Sequence, residues 1–85
     1  MGEIDLVMRD HAMLVFVEVR YRTDYGFGSP CETVDQRKQR KLYRSAQHFL
    51  LRHKQYNNLP CRFDVLGIST SQGREQYEWL QNAFS

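Results

Sequence analysis

Apolar and polar positions alternate over the first 20 residues, and this alternation predicts two β-strands, residues 3–9 and residues 13–20. One face of each strand is wholly apolar; these faces consist of Ile4, Leu6 and Met8, and of Val15, Val17 and Val19. The polar segment 10–12 is short enough for a tight turn, so the two strands form a hairpin. The opposite faces are apolar near the turn and charged at the open end. We therefore expect the sheet to be covered on both sides.

The middle of the chain predicts a loop followed by a long helix. Residues 21–34 hold two glycines and a proline, which is typical of a loop. Between residues 35 and 55 the apolar positions return at helical spacing, which predicts an amphipathic helix. Thr33 and Gln36 have the spacing of a capping box at its start.

The last third of the chain predicts a buried strand at residues 61–69 and a turn at residues 69–73. The remaining segment is ambiguous, and we predict a short strand at residues 77–80 with a frayed end. The second strand and the strand after the helix should then be parallel neighbours joined by a right-handed crossover. Glu18 and Arg20 lie at the C-terminal end of the second strand, and the helix would begin beyond that end. Open α/β sheets usually place their functional sites there.

Length and composition limit the class of protein. The chain has 85 residues, 41% of them hydrophobic and 26% charged, which indicates one globular domain spanning residues 1–85. No apolar run approaches the roughly 18 residues of a membrane span, and no secretory signal is visible. Two cysteines are too few for a disulfide scaffold, and with the two helical histidines they form no zinc pattern. We expect a cytoplasmic protein without a membrane partner.

Charge is segregated along the chain, although the net charge is only +2. Between Gln36 and Phe63 there is no Asp or Glu, yet eight of the twelve basic residues fall there: Arg37, Lys38, Arg40, Lys41, Arg44, Arg52, Lys54 and Arg62. Such a helix attracts a polyanion, and nucleic acid is the partner that it favours. The alternative is a basic helix surface that is merely solvated.

The hairpin gathers acidic residues at its open end. Glu3 and Asp5 share one face of the first strand, and Glu18 and Arg20 share one face of the second. A connection of two or four residues places odd positions opposite even ones, so the acids of both strands meet. An odd connection would bury carboxylates against the valines, at the cost of burying charge. In either even register Glu18 lies directly opposite Glu3 or Asp5.

Like charges opposed across two strands need compensation. Arg20 could supply it in a structural salt bridge. The other possibility is a divalent cation, because carboxylates together with the backbone carbonyl of Val19 form an oxygen site suited to Mg²⁺ or Mn²⁺. Such an ion activates water and neutralises a phosphodiester. A basic helix that begins at the same end of the sheet would hold the phosphates.

Six ordered segments also carry a resemblance to a known family: GEIDLVMRD, LVFVEVRYR, FGSP, RKQRKL, CRFDVLGI and EWLQNAF. They span nearly the whole chain, which resembles the YraN-like family of uncharacterised bacterial proteins. That family is placed in the restriction-endonuclease-like, PD-(D/E)xK nuclease superfamily, near archaeal Holliday junction resolvases. The resemblance implies an α/β fold with a restriction-endonuclease-like mixed β-sheet, one long crossover helix and a Mg²⁺-dependent nuclease site.

Carried over by position, the resemblance assigns the catalytic site. Asp5 matches the motif aspartate, Glu18 matches the (D/E), and Glu3 is the glutamate of GEID. Asp5, Glu18 and the Val19 carbonyl would hold the metal, and Arg20 would hold the scissile phosphate. The residues expected to bind the nucleic-acid backbone are Arg22, Arg37, Lys38, Lys41 and Arg44.

The chain departs from the family pattern in two ways. Arg20 stands where the family has its lysine, and arginine does not lose its proton as lysine can. The helix and strand that precede GEID in the family are absent, so relative to the family the domain is truncated at its N-terminus. Residues 3–9 would then be a bare edge able to pair with a second copy, which predicts a homodimer.

Three functions therefore stay open. The leading one is a metal-dependent nuclease acting on structured or branched DNA, where DNA is implied by the resemblance alone. The second is a catalytically inactive nucleic-acid-binding module of the same fold, and the third is a protein-interaction adaptor that uses the exposed edge strand. The sequence does not decide whether the chain is an enzyme.

Several smaller features have structural interpretations. Gln39 and Tyr43 have the spacing of a Gln-x₃-Tyr element found in relatives of this fold, but we expect Tyr43 to face the core. Arg62 and Asp64 should form a structural salt bridge that includes Arg9. The aromatic residues near the end of the chain are expected in the core rather than stacked on bases; they are Tyr77, Trp79 and Phe84.

Overall fold

The fold is a four-stranded mixed β-sheet with one long helix on one face, in a computed structural model that describes residues 4–23 and 34–84. The elements in chain order are β1 (Leu6–Asp10), β2 (Met13–Thr23), α1 (Gln36–Arg52), a 3₁₀ turn (Lys54–Tyr56), β3 (Cys61–Ser71) and β4 (Arg74–Phe84). The strand order is β1-β2-β3-β4, and β2 and β3 are the parallel pair. The predicted α/β class and the crossover through the helix are confirmed.

The β1–β2 hairpin has the predicted parity. Leu6 lies opposite Val17 and Val7 opposite Phe16, so odd positions face even ones. The connection is the two-residue turn at 11–12, and His11 adopts a φ of 55° there. Strand β2 continues three residues beyond the predicted end at residue 20, because its last residues pair with β3 up to Thr70.

The core lies between α1 and one face of the sheet, where the helix buries Leu42 and Ala46. Phe16 of β2 is 1% exposed, and its ring contacts Phe49 of α1 at 5.8 Å and Phe63 of β3 at 5.5 Å between centroids. This packing follows from the amphipathic spacing, since apolar residues three and four apart share one side of a helix. Among the described elements, no helix has both the length and the apolar character that a membrane crossing requires.

The start of α1 differs from the predicted capping box. The N-cap is Asp35, whose Oδ1 accepts a hydrogen bond from the Lys38 backbone N–H at 2.9 Å. Aspartate satisfies an orphan N–H well and its charge favours the helix N-terminus, so it takes the position that we assigned to Thr33, a residue outside the described ranges. The Gln39 side-chain amide donates to the Val34 carbonyl at 3.1 Å.

The helix also ends earlier than predicted. Its last residue is Arg52 rather than residue 55, and the 3₁₀ turn follows directly. The two residues with Gln-x₃-Tyr spacing have separate structural roles. The Gln39 side chain bonds the Val34 carbonyl at the helix start. The Tyr43 ring packs edge-on against Phe63 at 4.8 Å and against Phe84 at 5.8 Å between ring centroids. The expectation that Tyr43 faces the core is confirmed.

The prediction for the end of the chain is wrong in extent, because β4 has 11 residues and is not a short strand at 77–80. Gln72 and Gly73 both have positive φ, at 53° and 75°, and this pair turns the chain back along β3. Most of β4 is exposed, so hydrophobic alternation could not reveal its length. Tyr77 is 65% and Trp79 44% exposed, which contradicts their predicted place in the core.

The prediction that both faces of the sheet are covered holds at β2 and fails at the β1 edge, because on the face away from α1 Val15 and Val17 are only 2% and 1% exposed. Leu6 and Met8 on the face away from α1 are 46% and 45% exposed. Strand β1 lies at one edge of the sheet. Pairing of this edge with a second copy stays a prediction, which sedimentation can check.

A buried carboxylate joins β3, β4 and the hairpin. Asp64 is 0% exposed and accepts hydrogen bonds from the Arg62 guanidinium at 3.0 and 3.2 Å, from Trp79 Nε1 at 2.8 Å and from the Asn82 N–H at 2.9 Å. Arg62 also pairs with Asp10 at 3.0 Å. The structural salt bridge is thus confirmed, with Asp10 in place of Arg9. Burial raises the pKa of Asp64, but the donors outweigh it and the net pKa is lowered.

We predict that Asp64→Asn lowers the free energy of unfolding by about 3 kcal/mol, because it removes the charge that neutralises a mostly buried Arg62. Urea unfolding at pH 7 measures the loss. Asp10→Asn is the matched control, since Asp10 is 45% exposed and should cost less than about 1 kcal/mol. Equal losses in the two variants would contradict this account.

The pH dependence follows from the lowered pKa of Asp64. A carboxyl whose pKa is lower in the folded protein stabilises the fold above its ordinary value of 3.8, and this contribution is lost as the pH falls through the folded value. The difference between the wild-type chain and Asp64→Asn should therefore shrink below about pH 4.

Candidate metal and nucleic-acid site

The candidate site lies at the open end of the hairpin, where β1 begins. Leu6 is the first residue of β1 and lies opposite Val17, so the preceding residue, Asp5, comes beside Glu18 on the face that carries α1. Asp5 is exposed, whereas Glu18 is only 4% exposed. The structure therefore brings these two predicted site residues together. Glu3 lies outside the described residues.

The Asp5 carboxylate is held by the backbone of β2. Its Oδ2 accepts a hydrogen bond from the Val19 N–H at 2.9 Å, two residues beyond the last β1–β2 pair. The N–H and C=O of one strand residue point to the same side. The Val19 carbonyl is therefore directed toward the edge at which the Asp5 carboxylate lies, as a shared cation site would need.

The two oxygens of Glu18 have different surroundings. Its Oε2 accepts a hydrogen bond from Arg20 Nη1 at 3.3 Å and lies 3.5 Å from Lys38 Nζ. Its Oε1 is buried and has no hydrogen-bond partner. An unpartnered carboxylate oxygen inside a protein is costly, and beside Asp5 either a cation or a shared proton would relieve that cost.

Burial raises the pKa of Glu18 above its ordinary value of 4.5. The positive charge of Lys38 and the hydrogen bond from Arg20 lower it, whereas contact with the Asp5 carboxyl raises it further. The cations do not offset burial and like-charge repulsion, so the net pKa is raised. A divalent cation between the carboxylates would relieve the same repulsion.

The donor set fits a hard cation. The Asp5 carboxylate, Glu18 Oε1 and the Val19 carbonyl are oxygen donors of the kind that Mg²⁺ and Mn²⁺ prefer. Over the ranges 4–23 and 34–84, no group of three or more His, Cys, Asp or Glu residues gathers in one place. A cation held here would therefore keep water or substrate in the rest of its shell, as Mg²⁺ usually does.

The basic residues of α1 divide into two groups. Arg37, Lys41 and Arg44 are exposed, and at 100° per residue they lie within an arc of about 60°. Lys38 is turned toward the sheet and bonds Glu18, although we had grouped it with the residues that bind phosphate. Arg22 belongs to β2, but its side chain lies outside the described part of the chain.

Sequence reasoning missed the contact between Lys38 and Glu18. The helix was correctly expected to begin near Glu18, so a basic residue of its first turn had to come close. Four basic residues fall within Arg37–Lys41, and among them Lys38 lies four residues before Leu42 and eight before Ala46, on the buried side of α1. The period of the apolar positions could therefore have identified Lys38 as the basic residue that turns toward the sheet.

Comparison with known proteins identifies relatives that share this sequence. A family model described as "Uncharacterised protein family UPF0102" matches residues 1–68. A UPF0102 protein of Alcanivorax borkumensis is 52% identical over 98% of this chain and 67% of its own length. One of Saccharophagus degradans is 49% identical over 99% of this chain and 68% of its own length. The chain thus spans about two thirds of the length of these relatives, whose names state no activity.

We predict that Glu18→Gln raises the stability of the metal-free protein by about 1 kcal/mol, which corresponds to a melting temperature roughly 4–8 °C higher. The amide removes a buried charge that repels Asp5, while its oxygen still accepts from Arg20 and Lys38. Thermal unfolding in EDTA at pH 7 measures the change. Glu75→Gln on exposed β4 is the control and should change stability by less than about 0.5 kcal/mol.

The sign of the Glu18 effect also depends on pH. Because the folded pKa is raised, ionisation of Glu18 destabilises the fold as the pH rises above 4.5, and the protonated form carries no such penalty. The gain from Glu18→Gln should therefore disappear as the pH falls below 4.5. A destabilised variant at pH 7 would show that the carboxylate is structural.

Proposed function

The chain belongs to the uncharacterised family UPF0102, which is the YraN-like family, and we propose its function from the geometry of its own site. The proposed function is that of a Mg²⁺-dependent nuclease-like domain, which binds and hydrolyses phosphodiesters of structured or branched DNA. The proposal includes the restriction-endonuclease-like version of the α/β fold and a cytoplasmic location. One observation carries it: Glu18 Oε1 is buried without a partner beside Asp5, where a basic helix begins.

The proposed roles follow from the contacts. Asp5, Glu18 and the Val19 carbonyl would hold Mg²⁺ or Mn²⁺, which when bound activates water and neutralises charge on a phosphate. Arg20 Nη1 donates a hydrogen bond to Glu18 Oε2 at 3.3 Å and so holds that oxygen in place. Its guanidinium is also the group that we propose for the scissile phosphate.

Lys38 takes over the part of the chemistry that Arg20 cannot perform. A lysine ammonium can lose its proton and help activate water, whereas a guanidinium stays charged. Lys38 Nζ lies 3.5 Å from Glu18 Oε2, and Lys38 is 26% exposed. We therefore assign the role of the missing lysine to a residue of α1, while Arg37, Lys41 and Arg44 bind the flanking backbone.

The inactive nucleic-acid-binding module is the second candidate. It is favoured because Arg20 stands at the lysine position and because Lys38 is already engaged by Glu18. In this case the exposed basic residues of α1 would bind phosphates, and the carboxylates would have no catalytic role.

We predict that Mn²⁺ binds the wild-type chain and that Asp5→Asn and Glu18→Gln each weaken binding at least about tenfold, because each removes a charged ligand. Isothermal titration calorimetry measures the affinity, and Glu75→Gln serves as the exposed control with unchanged affinity. Cleavage of a supercoiled plasmid and of a four-way junction is followed in parallel.

The outcomes separate the candidates. Metal binding lost in both variants, together with cleavage by the wild type, supports the enzyme. If DNA affinity is the same with and without the metal and in both variants, the result supports the inactive binding module. If neither DNA nor RNA binds at about 50 mM salt, where phosphate contacts are strong, both candidates fail.

For the enzyme, Lys38→Gln should lower kcat at least about a hundredfold at saturating Mn²⁺, in the range typical of a lost acid–base group. Lys41→Gln removes an exposed charge from the next turn of α1 and should mainly raise KM. A steeper pH–rate profile in the wild type than in Lys38→Gln would mark proton transfer. Equal kcat losses in the two variants would contradict the assignment.

A further inference from the structure

A cavity with both polar and apolar lining residues lies toward the other end of α1, where its last two turns pass the beginning of the hairpin. Its volume is about 280 Å³. Ile4, Val7 and Phe49 form the apolar part of its lining. The polar part comes from Ser45, His48, Arg52 and His53. This volume suits a ligand the size of a nucleotide.

The chemistry of the lining is complementary to an anion with an aromatic ring. None of the described residues that line it is a carboxylate, and Arg52 brings a guanidinium group to it. The carbonyl end of a helix carries a partial charge of about −0.5, which the single positive charge of Arg52 exceeds. His53 packs on Phe49 with 4.3 Å between ring centroids, so the imidazole forms a supported platform on which a base can stack.

One side of α1 connects the cavity with the carboxylate site. Lys38, Ser45 and Arg52 are spaced by seven residues, or about two helical turns, so they lie along one line of the helix. The 14 residues from Lys38 to Arg52 rise about 21 Å at about 1.5 Å each. Between Gln36 and Phe63 the sequence contains no acidic residue that would repel a strand on this path.

We propose that the cavity is a nucleotide subsite for the same nucleic-acid strand that the carboxylate site engages, and this rests on the proposed function. A phosphate of that strand pairs with Arg52, and its base stacks on His53. At about 3.4 Å per nucleotide in a stacked strand, the subsite lies about six nucleotides from the scissile bond beside Glu18. The protein would thus contact the substrate strand over about six nucleotides and not only at the scissile bond.

The test compares two variants that remove the same charge from the same helix. Arg52→Gln alters the cavity, whereas Arg40→Gln alters an exposed residue about 120° around the helix from it. Fluorescence anisotropy gives the dissociation constants of fluorescein-labelled DNA of 4, 8 and 12 nucleotides at about 50 mM salt. Urea unfolding confirms that each variant folds, and His48→Gln replaces Arg52→Gln if the latter does not.

For the wild type we expect affinity to rise steeply between 4 and 8 nucleotides. Arg52→Gln should remove this step and weaken binding of the 12-mer about tenfold more than Arg40→Gln does, while both bind the 4-mer alike. Equal losses in the two variants, or a length step that persists in Arg52→Gln, would overturn the subsite. Metal-dependent cleavage without a length step leaves the proposed function standing, whereas an absence of DNA binding at every length removes both.

Discussion

The approach of two carboxylates across the hairpin is the constraint on which the account of this protein depends. The register that puts Leu6 opposite Val17 also puts Asp5 beside Glu18, and the same register buries the valines of β2. The fold cannot separate the acids without exposing those valines, because a shift by one residue would turn every side chain of the strand to the other face. Hydrophobic burial thus holds together two groups that repel each other.

The surrounding residues reduce this repulsion without removing it. Arg20 and Lys38 both approach Glu18 Oε2, yet the pKa of Glu18 stays raised and Oε1 stays without a partner. The buried carboxylate of Asp64 differs from that of Glu18 in its hydrogen-bond partners. Asp64 is buried more completely, but four donor groups satisfy it and its pKa is lowered. Ionised Asp64 therefore stabilises the fold, whereas the ionised form of Glu18 destabilises it.

The sequence predicted the hairpin, its parity and the crossover helix because each leaves a clear hydrophobic period. It did not predict the length of β4, since most side chains of that strand are exposed and no buried face marks them. Lys38 was grouped with the other basic residues of α1, although it lies four residues before Leu42 and eight before Ala46 and so on the buried side of the helix. The helical period marks position 38 as facing the sheet, and treating its lysine as a phosphate contact obscured this.

The most direct test of the central claim is a crystal structure of the wild-type chain soaked in Mn²⁺, with data collected to locate the metal by its anomalous scattering. The account predicts one peak about 2.1 Å from Glu18 Oε1, from an Asp5 carboxylate oxygen and from the Val19 carbonyl. No peak between Asp5 and Glu18 at saturating Mn²⁺, with the two carboxyl groups within hydrogen-bond distance of each other, would contradict it. In that case the two acids would share a proton rather than a cation.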